Sequence, residues 1–435
     1  MAEPTSPHLL FVGGAGDATL AVDVVTHALT QARARGLSIH VTNQEATLAA
    51  TPTVTELADE ASAVDFAQRG ASAAWARERV AAGERFDIVF GVREMAQEAV
   101  AEVADAVDAP GNASEAVHRI RTKDEARAHL AAAGFLQPQF RVCADEAEAV
   151  DFLARSTGPW VVKPRDAMGS EGVTRIDGAG ELPAALDFLP ERGAFIVEEF
   201  VEGPEYSAEG VFIDGAPHVL ALTSKELLPP PNFFEIEYVI PAIVPDTTRE
   251  EIESQVTAAL TTLGLRYGQF HVELWWTERG VVLGEVHIRN AGGWIHRMLP
   301  YVIPGLEWFG LVYDDVLGRP IDRSALKPVR GSAIRFLTPP SGRLIAVEGW
   351  DAVVAHPAVI HAELAVAPGD VIEPHRSVGN RVALIAVGAD TPQEAQALAR
   401  KLDASVRFVT EPVSGQGDEA VAGQQPEPAT EPVTG

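Results

Sequence analysis

The chain has 435 residues and a formal charge of −28, from 34 Lys and Arg against 62 Asp and Glu. The length suits about two to four domains, and the acidic balance argues against nucleic acid or an anionic membrane as partner, because both need a surface that neutralises phosphate. A single cysteine, Cys143, excludes a disulfide framework and a cysteine-based zinc site.

The first segment alternates strand and helix patterns. Short apolar runs at residues 9–12, 37–41 and 86–90 predict strands, and a helical pattern follows the first run through Ala34. Strands separated by helices indicate a parallel sheet covered by helices. The turn at residues 13–16 lacks the full glycine spacing of a dinucleotide site, so a plain strand-to-helix turn is favoured there.

A domain boundary is predicted near residues 108–112, in the segment Asp-Ala-Pro-Gly-Asn. Beyond it, Thr122 and Glu125 have the spacing of a capping box, which predicts a helix that begins after Thr122. Mixed helix and strand patterns then continue to about Pro320.

The third region, residues 329–409, contains strand patterns at residues 332–337 and 382–387. Thr391, with Pro392 and Glu394 behind it, predicts the start of a helix. After Glu411 almost nothing is apolar, so we expect a disordered tail.

Residues 270–276 and 281–289 predict a β-hairpin around a three-residue loop at 278–280, with glycine at the position that needs a positive φ. The expected register pairs Thr277 with Val281, Trp275 with Leu283, Glu273 with Glu285, and His271 with His287.

The facing carboxylates of Glu273 and Glu285 would repel each other across this hairpin. A bridging cation removes the repulsion, and Mg²⁺ is usually held by one or two carboxylates. The alternative is a solvated face on which water weakens the repulsion. Because Trp275 and Leu283 flank the pair, the metal site is favoured.

A strand pattern at residues 160–164 delivers Lys163 to a loop at 166–172 that contains Gly169, Ser170 and Gly172. Small residues let backbone N–H groups approach phosphate oxygens, and lysine adds positive charge. The alternative for this segment alone is an ordinary hairpin. Farther along, the acidic run Glu198, Glu199, Glu202 and Glu205 is either surface charge or a hinge that contacts a purine and a ribose.

These features occur in one order: Lys123 on a helix, Lys163 before its loop, the Glu-Glu hinge with Gly-x-Glu, and Glu273 followed by Glu-x-His-x-Arg from Glu285. The combination resembles the ATP-grasp superfamily and, within it, the carboxylate–amine ligases of the L-amino acid ligase type. The resemblance spans about residues 120–320, and the later Gly369–Asp370 and Asn380–Arg381 turns also look like that family.

The resemblance implies a mixed α/β and α+β architecture, an ATP-grasp fold between a Rossmann-like parallel-sheet domain and a C-terminal mixed α/β domain. The expected divisions are an N-terminal domain at 1–118, an ATP-grasp domain at 119–322 (a lid at about 124–200 and a larger part at 201–322), a C-terminal domain at 323–411 and a tail at 412–435.

The resemblance also implies roles for the nucleotide-side residues. Lys123 and Lys163 would contact the phosphates of ATP, and the loop with Gly169, Ser170 and Gly172 would close over them. The adenine would lie against Glu198, Glu199 and Val201, and Glu205 would hold the ribose.

Glu273 and Glu285 would bind Mg²⁺. His287 stands where an asparagine commonly completes the metal site; either it points elsewhere or the site tolerates Mn²⁺ well. Arg289 would stabilise the charged intermediate and, with Lys163, act in catalysis.

The substrate side departs from related ligases, which often carry a glycine–histidine pair where this chain has Glu237–Tyr238. Glu235 and Glu237 either receive a cationic amine, beside Tyr238, or lie in an exposed loop. Lys225 either contacts phosphate or is solvated.

Gly292 and Gly293 open a helix at residues 294–299, whose free N–H groups suit a substrate carboxylate beside Arg289. His296 and Arg297 are expected to be structural.

The expected function is an ATP-dependent carboxylate–amine ligase that acts through an acyl phosphate on small-molecule substrates, with amino acids as the expected substrates, in specialised metabolism. The alternatives are a biotin-carboxylase-like or purine-pathway enzyme, and a non-catalytic ATP-binding scaffold. No signal pattern or long apolar run occurs, so we expect a cytoplasmic monomer or homodimer with no membrane and no nucleic-acid partner.

Overall fold

The structure is a computed structural model that describes residues 6–165, 169, 171–191, 193–229, 233–375 and 378–413. Within those ranges, no helix combines the length and the apolar character needed to cross a lipid bilayer.

The strands are β1 (His8–Val12), β2 (Ser38–Asn43), β3 (Glu60–Ala63), β4 (Ile88–Phe90), β5 (Phe140–Cys143), β6 (Trp160–Pro164), β7 (Thr174–Ile176), β8 (Phe195–Glu199), β9 (Glu205–Ile213), β10 (Ala216–Leu227), β11 (Glu235–Ile240), β12 (Gln269–Thr277), β13 (Gly280–His287), β14 (Gly331–Phe336), β15 (Gly342–Glu348), β16 (Val359–Leu364), β17 (Val371–Ile372), β18 (Ala383–Ala389) and β19 (Arg407–Glu411).

The helices are α1 (Thr19–Ala34), α2 (Glu45–Ala50), α3 (Pro52–Thr55), α4 (Ala71–Ala81), α5 (Gln97–Val107), α6 (Ser114–Arg121), α7 (Lys123–Ala132), α8 (Glu146–Arg155), α9 (Leu182–Asp187), α10 (Asp246–Thr262), α11 (Ile295–Val302), α12 (Trp308–Val316), α13 (Trp350–Val354) and α14 (Pro392–Asp403). Short 3₁₀ turns lie at Glu94–Ala96, Ala179–Glu181, Arg323–Ala325 and Val378–Asn380.

The N-terminal sheet is parallel, with strand order β3-β2-β1-β4, as the alternating patterns predict. Its glycine turn serves close packing: a Cβ on Gly13 would lie 2.5 Å from the Ala96 Cβ, and one on Gly14 would lie 2.8 Å from the Asn43 amide nitrogen. Both glycines also have positive φ, which other residues rarely adopt. The turn thus brings the Glu94–Ala96 segment against the carboxyl end of β1.

A small antiparallel sheet, β5-β8-β6-β7, forms over the region predicted as the lid, and β6 and β7 pair around the predicted phosphate loop. Helix α7 begins after Thr122 as predicted, but the expected capping box is absent: the Thr122 side chain makes no capping hydrogen bond. Thr122 is also the residue that ends α6, and its N–H donates to the His118 carbonyl. The two helices therefore meet at Thr122 without an intervening loop.

The large sheet is antiparallel, with order β13-β12-β9-β10-β11-β14-β18-β16. Strands β14, β16 and β18 come from the region expected to form a separate C-terminal domain, yet they continue the sheet from β11. One apolar cluster joins Phe11 of β1, Tyr238 of β11 and Phe336 of β14. The strands that carry the predicted site therefore pack against elements from both the N-terminal and the C-terminal regions of the chain.

The register of the β12–β13 hairpin corrects the prediction near its turn. His271 pairs with His287 as expected, but Trp275 pairs with Val282 and Thr277 with Gly280, so the loop has two residues. A bulge between Val272 and Leu274 absorbs the one-residue difference. As a result Leu283 packs in the apolar cluster with Leu274 rather than flanking the acidic pair.

Gly284 makes this bulge possible. A Cβ at this position would lie 2.9 Å from the Glu273 carbonyl oxygen and 3.0 Å from the Trp275 ring. Glu273 thus faces both Gly284 and Glu285 across the ladder, and the two carboxylates remain on one side of the hairpin.

Helix α14 confirms its predicted start, because Thr391 and Glu394 form a reciprocal capping box with Pro392 in the first turn. The last described strand, β19, ends at Glu411. Most of the expected disordered tail, residues 414–435, lies outside the described residues.

Gly284→Ala should lower the free energy of unfolding by about 1–3 kcal/mol, because the added methyl group meets a backbone oxygen that cannot move freely. Urea unfolding checks this. Gly180→Ala is the matched control, because a Cβ there meets nothing within 4 Å, and it should be neutral or slightly stabilising. Equal stability of the two variants would contradict the role of Gly284.

Candidate active site

A cleft of about 280 Å³ lies between the small lid-like sheet and the large sheet. Its walls combine Lys163 of β6, Val201 of the segment after β8, Glu273 of β12 and Glu285 of β13. The structure therefore gathers residues that are more than 100 positions apart in the chain into one pocket.

Glu273, Glu285 and His287 form a cluster whose potential ligand atoms lie within 4.8 Å of one another. His287 Nε2 is 3.5 Å from a Glu285 carboxylate oxygen. Ligands of an octahedral ion with bonds of ~2.1 Å lie about 3 Å apart when adjacent and about 4 Å apart when opposite. Two carboxylates and an imidazole at this spacing fit a divalent cation.

Lys225 is the cation at the centre of the acidic pocket. Its Nζ lies 2.6 Å from Glu273, 3.0 Å from Glu235 and 3.2 Å from Glu205, and the side chain is only 2% exposed. Burial lowers the pKa of Lys225, but the charges of Glu273, Glu235 and Glu205 outweigh it and raise that pKa well above its usual value. The alternative of a solvated lysine is therefore wrong.

Glu205 has the opposite balance. Burial raises the pKa of this carboxyl to about 7, because the attraction of Lys225 only partly offsets burial and the repulsion of Glu273 and Glu235.

Two buried residues hold Glu273 from behind. His271 Nδ1 lies 3.0 Å from a Glu209 carboxylate oxygen, and its Nε2 lies 3.4 Å from Glu273. The hydroxyls of Ser207 and Thr223 donate to Glu209. Burial lowers the pKa of His271, but Glu209 and Glu273 outweigh it and raise that pKa, which favours an imidazolium between two carboxylates.

Glu94, from the 3₁₀ turn of the N-terminal region, is a site residue that the sequence did not reveal. Its carboxylate contacts His287 Nδ1 at 3.0 Å and Arg289 Nε at 2.6 Å, and it also accepts from Arg121. Burial raises the pKa of Glu94, but His287, Arg289 and Arg121 outweigh it and hold that pKa well below its usual value. The only local signal was its position just after β4, at the carboxyl edge of a parallel sheet.

The predicted nucleotide-side residues also come together. Lys163 Nζ lies 2.7 Å from Glu198, which is paired with Arg127 at 3.0 Å, and Lys123 Nζ lies 3.6 Å from Glu285. Glu198, Glu199, Val201 and Glu205 line the same cleft. The carboxylate of Glu198 is thus held by two cations.

The phosphate loop is described in part. Gly169 lines the cleft, and Gly172 has φ +69° and packs so closely that a Cβ would lie 2.6 Å from Pro190. Ser170, with residues 166–168, lies outside the described residues.

Glu235 and Tyr238 lie at the far wall of the cleft with Arg381. Tyr238 donates its hydroxyl hydrogen to Glu235, and Arg381 Nη2 lies 2.8 Å from the same carboxylate. The Arg381 guanidinium also stacks on Phe336 with 3.5 Å to the ring centroid. Burial raises the pKa of Glu235, but Lys225 and Arg381 outweigh it and lower that pKa. Glu235 is therefore a cleft residue and not part of an exposed loop.

Glu237 neither faces the cleft to receive a cationic amine nor lies in an exposed loop, so both predicted alternatives are wrong for this residue. The register shift opposite Glu226 and Leu227 places Glu237 on the other side of β11 from Glu235. Its carboxylate is buried and accepts from Gln396 at 2.6 Å and from Arg400 at 2.8 Å, both on α14. Glu237 is thus a structural ion-pair residue that fastens α14 to the sheet.

Gly292 and Gly293 line the cleft beside Arg289, as predicted. A Cβ on Gly293 would lie 2.3 Å from the Tyr238 ring, so only glycine fits there. The helix behind them, α11, begins at Ile295, one residue later than expected.

His296 and Arg297 point away from the cleft, as their expected structural role requires. They bind Asp23 of α1, at 2.6 Å from His296 Nε2 and 2.9 Å from Arg297 Nε. These contacts attach α11 to the N-terminal region.

Comparison with known proteins matches residues 156–297 to the ATP-grasp domain and residues 335–411 to the L-amino acid ligase C-terminal domain 2. The chain thus contains an ATP-grasp domain and a C-terminal domain of the L-amino acid ligase type. The family and the fold class predicted from the sequence are both confirmed.

Solved structures share the fold. The crystal structure of L-amino acid ligase from Bacillus licheniformis has a TM-score of 0.76 and 23% identity, and covers 93% of this ATP-grasp chain and 99% of that protein. Carboxyaminoimidazole ribonucleotide synthase from Aspergillus clavatus, complexed with ATP, has a TM-score of 0.70 and 18% identity, over 91% of this chain and 97% of that one.

Among relatives by sequence, the uncharacterized protein y4rH of Sinorhizobium fredii is 28% identical over 349 residues, which covers 78% of this chain and 71% of that protein.

Glu205→Gln should change how stability depends on pH. The folded chain holds a proton on Glu205 up to about pH 7, whereas the unfolded carboxyl releases it near 4.5, so rising pH removes stability between these values. The melting temperature of Glu205→Gln minus that of wild type should therefore be higher at pH 8 than at pH 5. Thermal melting at both values checks this, with exposed Glu202→Gln as control; parallel pH profiles for Glu205→Gln and wild type would contradict it.

Proposed function

We propose that this ATP-grasp protein is a carboxylate–amine ligase that uses ATP to form an amide or peptide bond, with amino acids as substrates and ADP and phosphate as products. The observation that supports the proposal is the cluster of Glu273, Glu285 and His287, which lies in the same cleft as Lys163 and Arg289. The matched L-amino acid ligase C-terminal domain favours this reaction over others on the same fold.

The nucleotide would lie with its adenine against the Glu198–Val201 segment and its phosphates toward Lys123 and Lys163. Mg²⁺ or Mn²⁺ held by Glu273 and Glu285, with His287 as third donor, would neutralise phosphate charge. Phosphoryl transfer needs such positioning and neutralisation more than covalent help from the protein.

In the first step, a substrate carboxylate oxygen bonds to the γ-phosphorus while the bond to the ADP oxygen breaks. Arg289, beside Gly292 and Gly293, would orient the carboxylate and balance the charge of the acyl phosphate. The loop at residues 166–172 would exclude water, because an acyl phosphate hydrolyses readily.

In the second step, an amine forms a bond to the acyl carbon, phosphate leaves, and the amine loses a proton. The lowered pKa of Glu235 makes it a weak base, so it suits holding a substrate ammonium group better than removing this proton.

Amino-acid substrates fit the far wall of the cleft. Glu235 and Arg381 place opposite charges side by side there, at 2.8 Å from each other. The ammonium group of an amino acid would pair with Glu235 and its carboxylate with Arg381. Both buried charges would then stay balanced when the internal ion pair opens.

Hydroxylamine trapping separates this proposal from the alternatives. Hydroxamate formed with amino acids and ATP supports the ligase. Hydroxamate that requires bicarbonate supports a carboxylating enzyme, and none with any carboxylate supports a non-catalytic ATP-binding scaffold.

Glu285→Gln should abolish product formation in a folded protein, since the amide cannot replace the charge that holds the metal. Phosphate release measured across amino-acid pairs checks this, with circular dichroism to confirm folding. Glu278→Gln, an exposed change in the same hairpin, should keep full activity. More than about a tenth of wild-type activity in Glu285→Gln would contradict the metal role.

A further inference from the structure

One carboxylate connects the predicted metal side of the cleft to its substrate side. A single oxygen of Glu94 contacts both His287 Nδ1, at 3.0 Å, and Arg289 Nε, at 2.6 Å. The other oxygen accepts from Arg121. The Glu94 side chain is 10% exposed, so both oxygens are engaged away from bulk water.

The contact with Glu94 determines which nitrogen of His287 carries a proton. A carboxylate flanked by the guanidinium groups of Arg121 and Arg289 is an acceptor, so His287 Nδ1 must be the donor. Nε2 lies on the opposite side of the ring, 3.5 Å from Glu285, where a bound metal ion would take its lone pair. Metal-binding histidines in proteins are commonly oriented by such a carboxylate on the second nitrogen.

We propose that Glu94 is a positioning residue that holds His287 with Nε2 directed at the metal, so that His287 binds the metal through nitrogen, and that orients Arg289 toward the substrate. This inference depends on the metal site of the proposed function. It makes the N-terminal region part of the active site, although that region supplies no residue to the cleft's predicted metal cluster.

The surroundings of Glu94 keep it in place. The Glu94–Ala96 turn follows β4, and Ala96 packs against Gly13 so closely that a Cβ on that glycine would lie 2.5 Å away. Because the turn cannot shift toward β1, Glu94 holds His287 and Arg289 at a fixed distance from the N-terminal sheet.

A nitrogen ligand gives a measurable signature. Imidazole binds Mn²⁺ and other transition metals more readily than Mg²⁺, which prefers oxygen. Electron paramagnetic resonance of Mn²⁺ with a non-hydrolysable ATP analogue, on protein carrying ¹⁵N-histidine, detects a bound ring nitrogen through its hyperfine coupling. No substrate and no turnover are needed.

Wild type should show the ¹⁵N coupling, and His287→Asn should lose it while still binding Mn²⁺ through oxygen. Glu94→Gln should also lose the coupling and weaken Mn²⁺ binding about 10- to 100-fold, because the amide no longer fixes the imidazole. Glu98→Gln is the matched control: Glu98 is an exposed partner of His118 on the following helix, and its variant should keep the coupling and the affinity.

A purely structural ion pair at Glu94 would lower the melting temperature of Glu94→Gln and leave the coupling intact, which would overturn the proposal. Absence of coupling in wild type that binds Mn²⁺ and nucleotide would also overturn it, but would leave the proposed function standing. Failure of wild type to bind them at all would contradict both. If Glu94→Gln does not fold, the shorter Glu94→Asp applies the same test.

Discussion

The structure depends on keeping the carboxylates of Glu273 and Glu285 together in a partly buried cleft. Two such charges on neighbouring strands repel, and removal from water makes each of them costly unless cations are close. Lys225 lies 2.6 Å from Glu273, and Lys123 lies 3.6 Å from Glu285. These two ammonium groups balance the charges of the two carboxylates. Glu273 and Glu285 can therefore stay close enough together to hold the proposed metal.

Around Glu273 and Glu285, carboxylates alternate with histidine side chains. Glu209 holds His271, which holds Glu273, while Glu94 holds His287 beside Glu285. Each of these carboxylates thus contacts a cation or an imidazole. The series of contacts through His271 ends at Glu209 on β9, and the series through His287 ends at Glu94 beside the N-terminal sheet. A displacement of either support would therefore move Glu273 or His287, the side chains proposed to hold the metal.

Local patterns predicted much of this, and contacts between distant segments account for the rest. The alternation along residues 270–289 predicted that Glu273, Glu285 and His287 share one face, and this prediction holds because the bulge at Gly284 does not change the side on which they lie. The alternation did not predict the bulge itself, because the bulge depends on the packing of Gly284 against the opposite strand. Glu94 and Arg289 are 195 residues apart, and Arg381 and Glu235 are 146 apart. No pattern within one segment links such pairs, although the Asn380–Arg381 turn is itself part of the family resemblance.

The most direct measurement is a crystal structure with a non-hydrolysable ATP analogue and Mn²⁺, with anomalous scattering used to locate the metal. The account predicts anomalous peaks between Glu273 and Glu285, next to the terminal phosphates, with Lys163 and Lys123 on the phosphate oxygens. Peaks elsewhere, with both carboxylates turned into solvent or still bound only to Lys225 and Lys123, would contradict it.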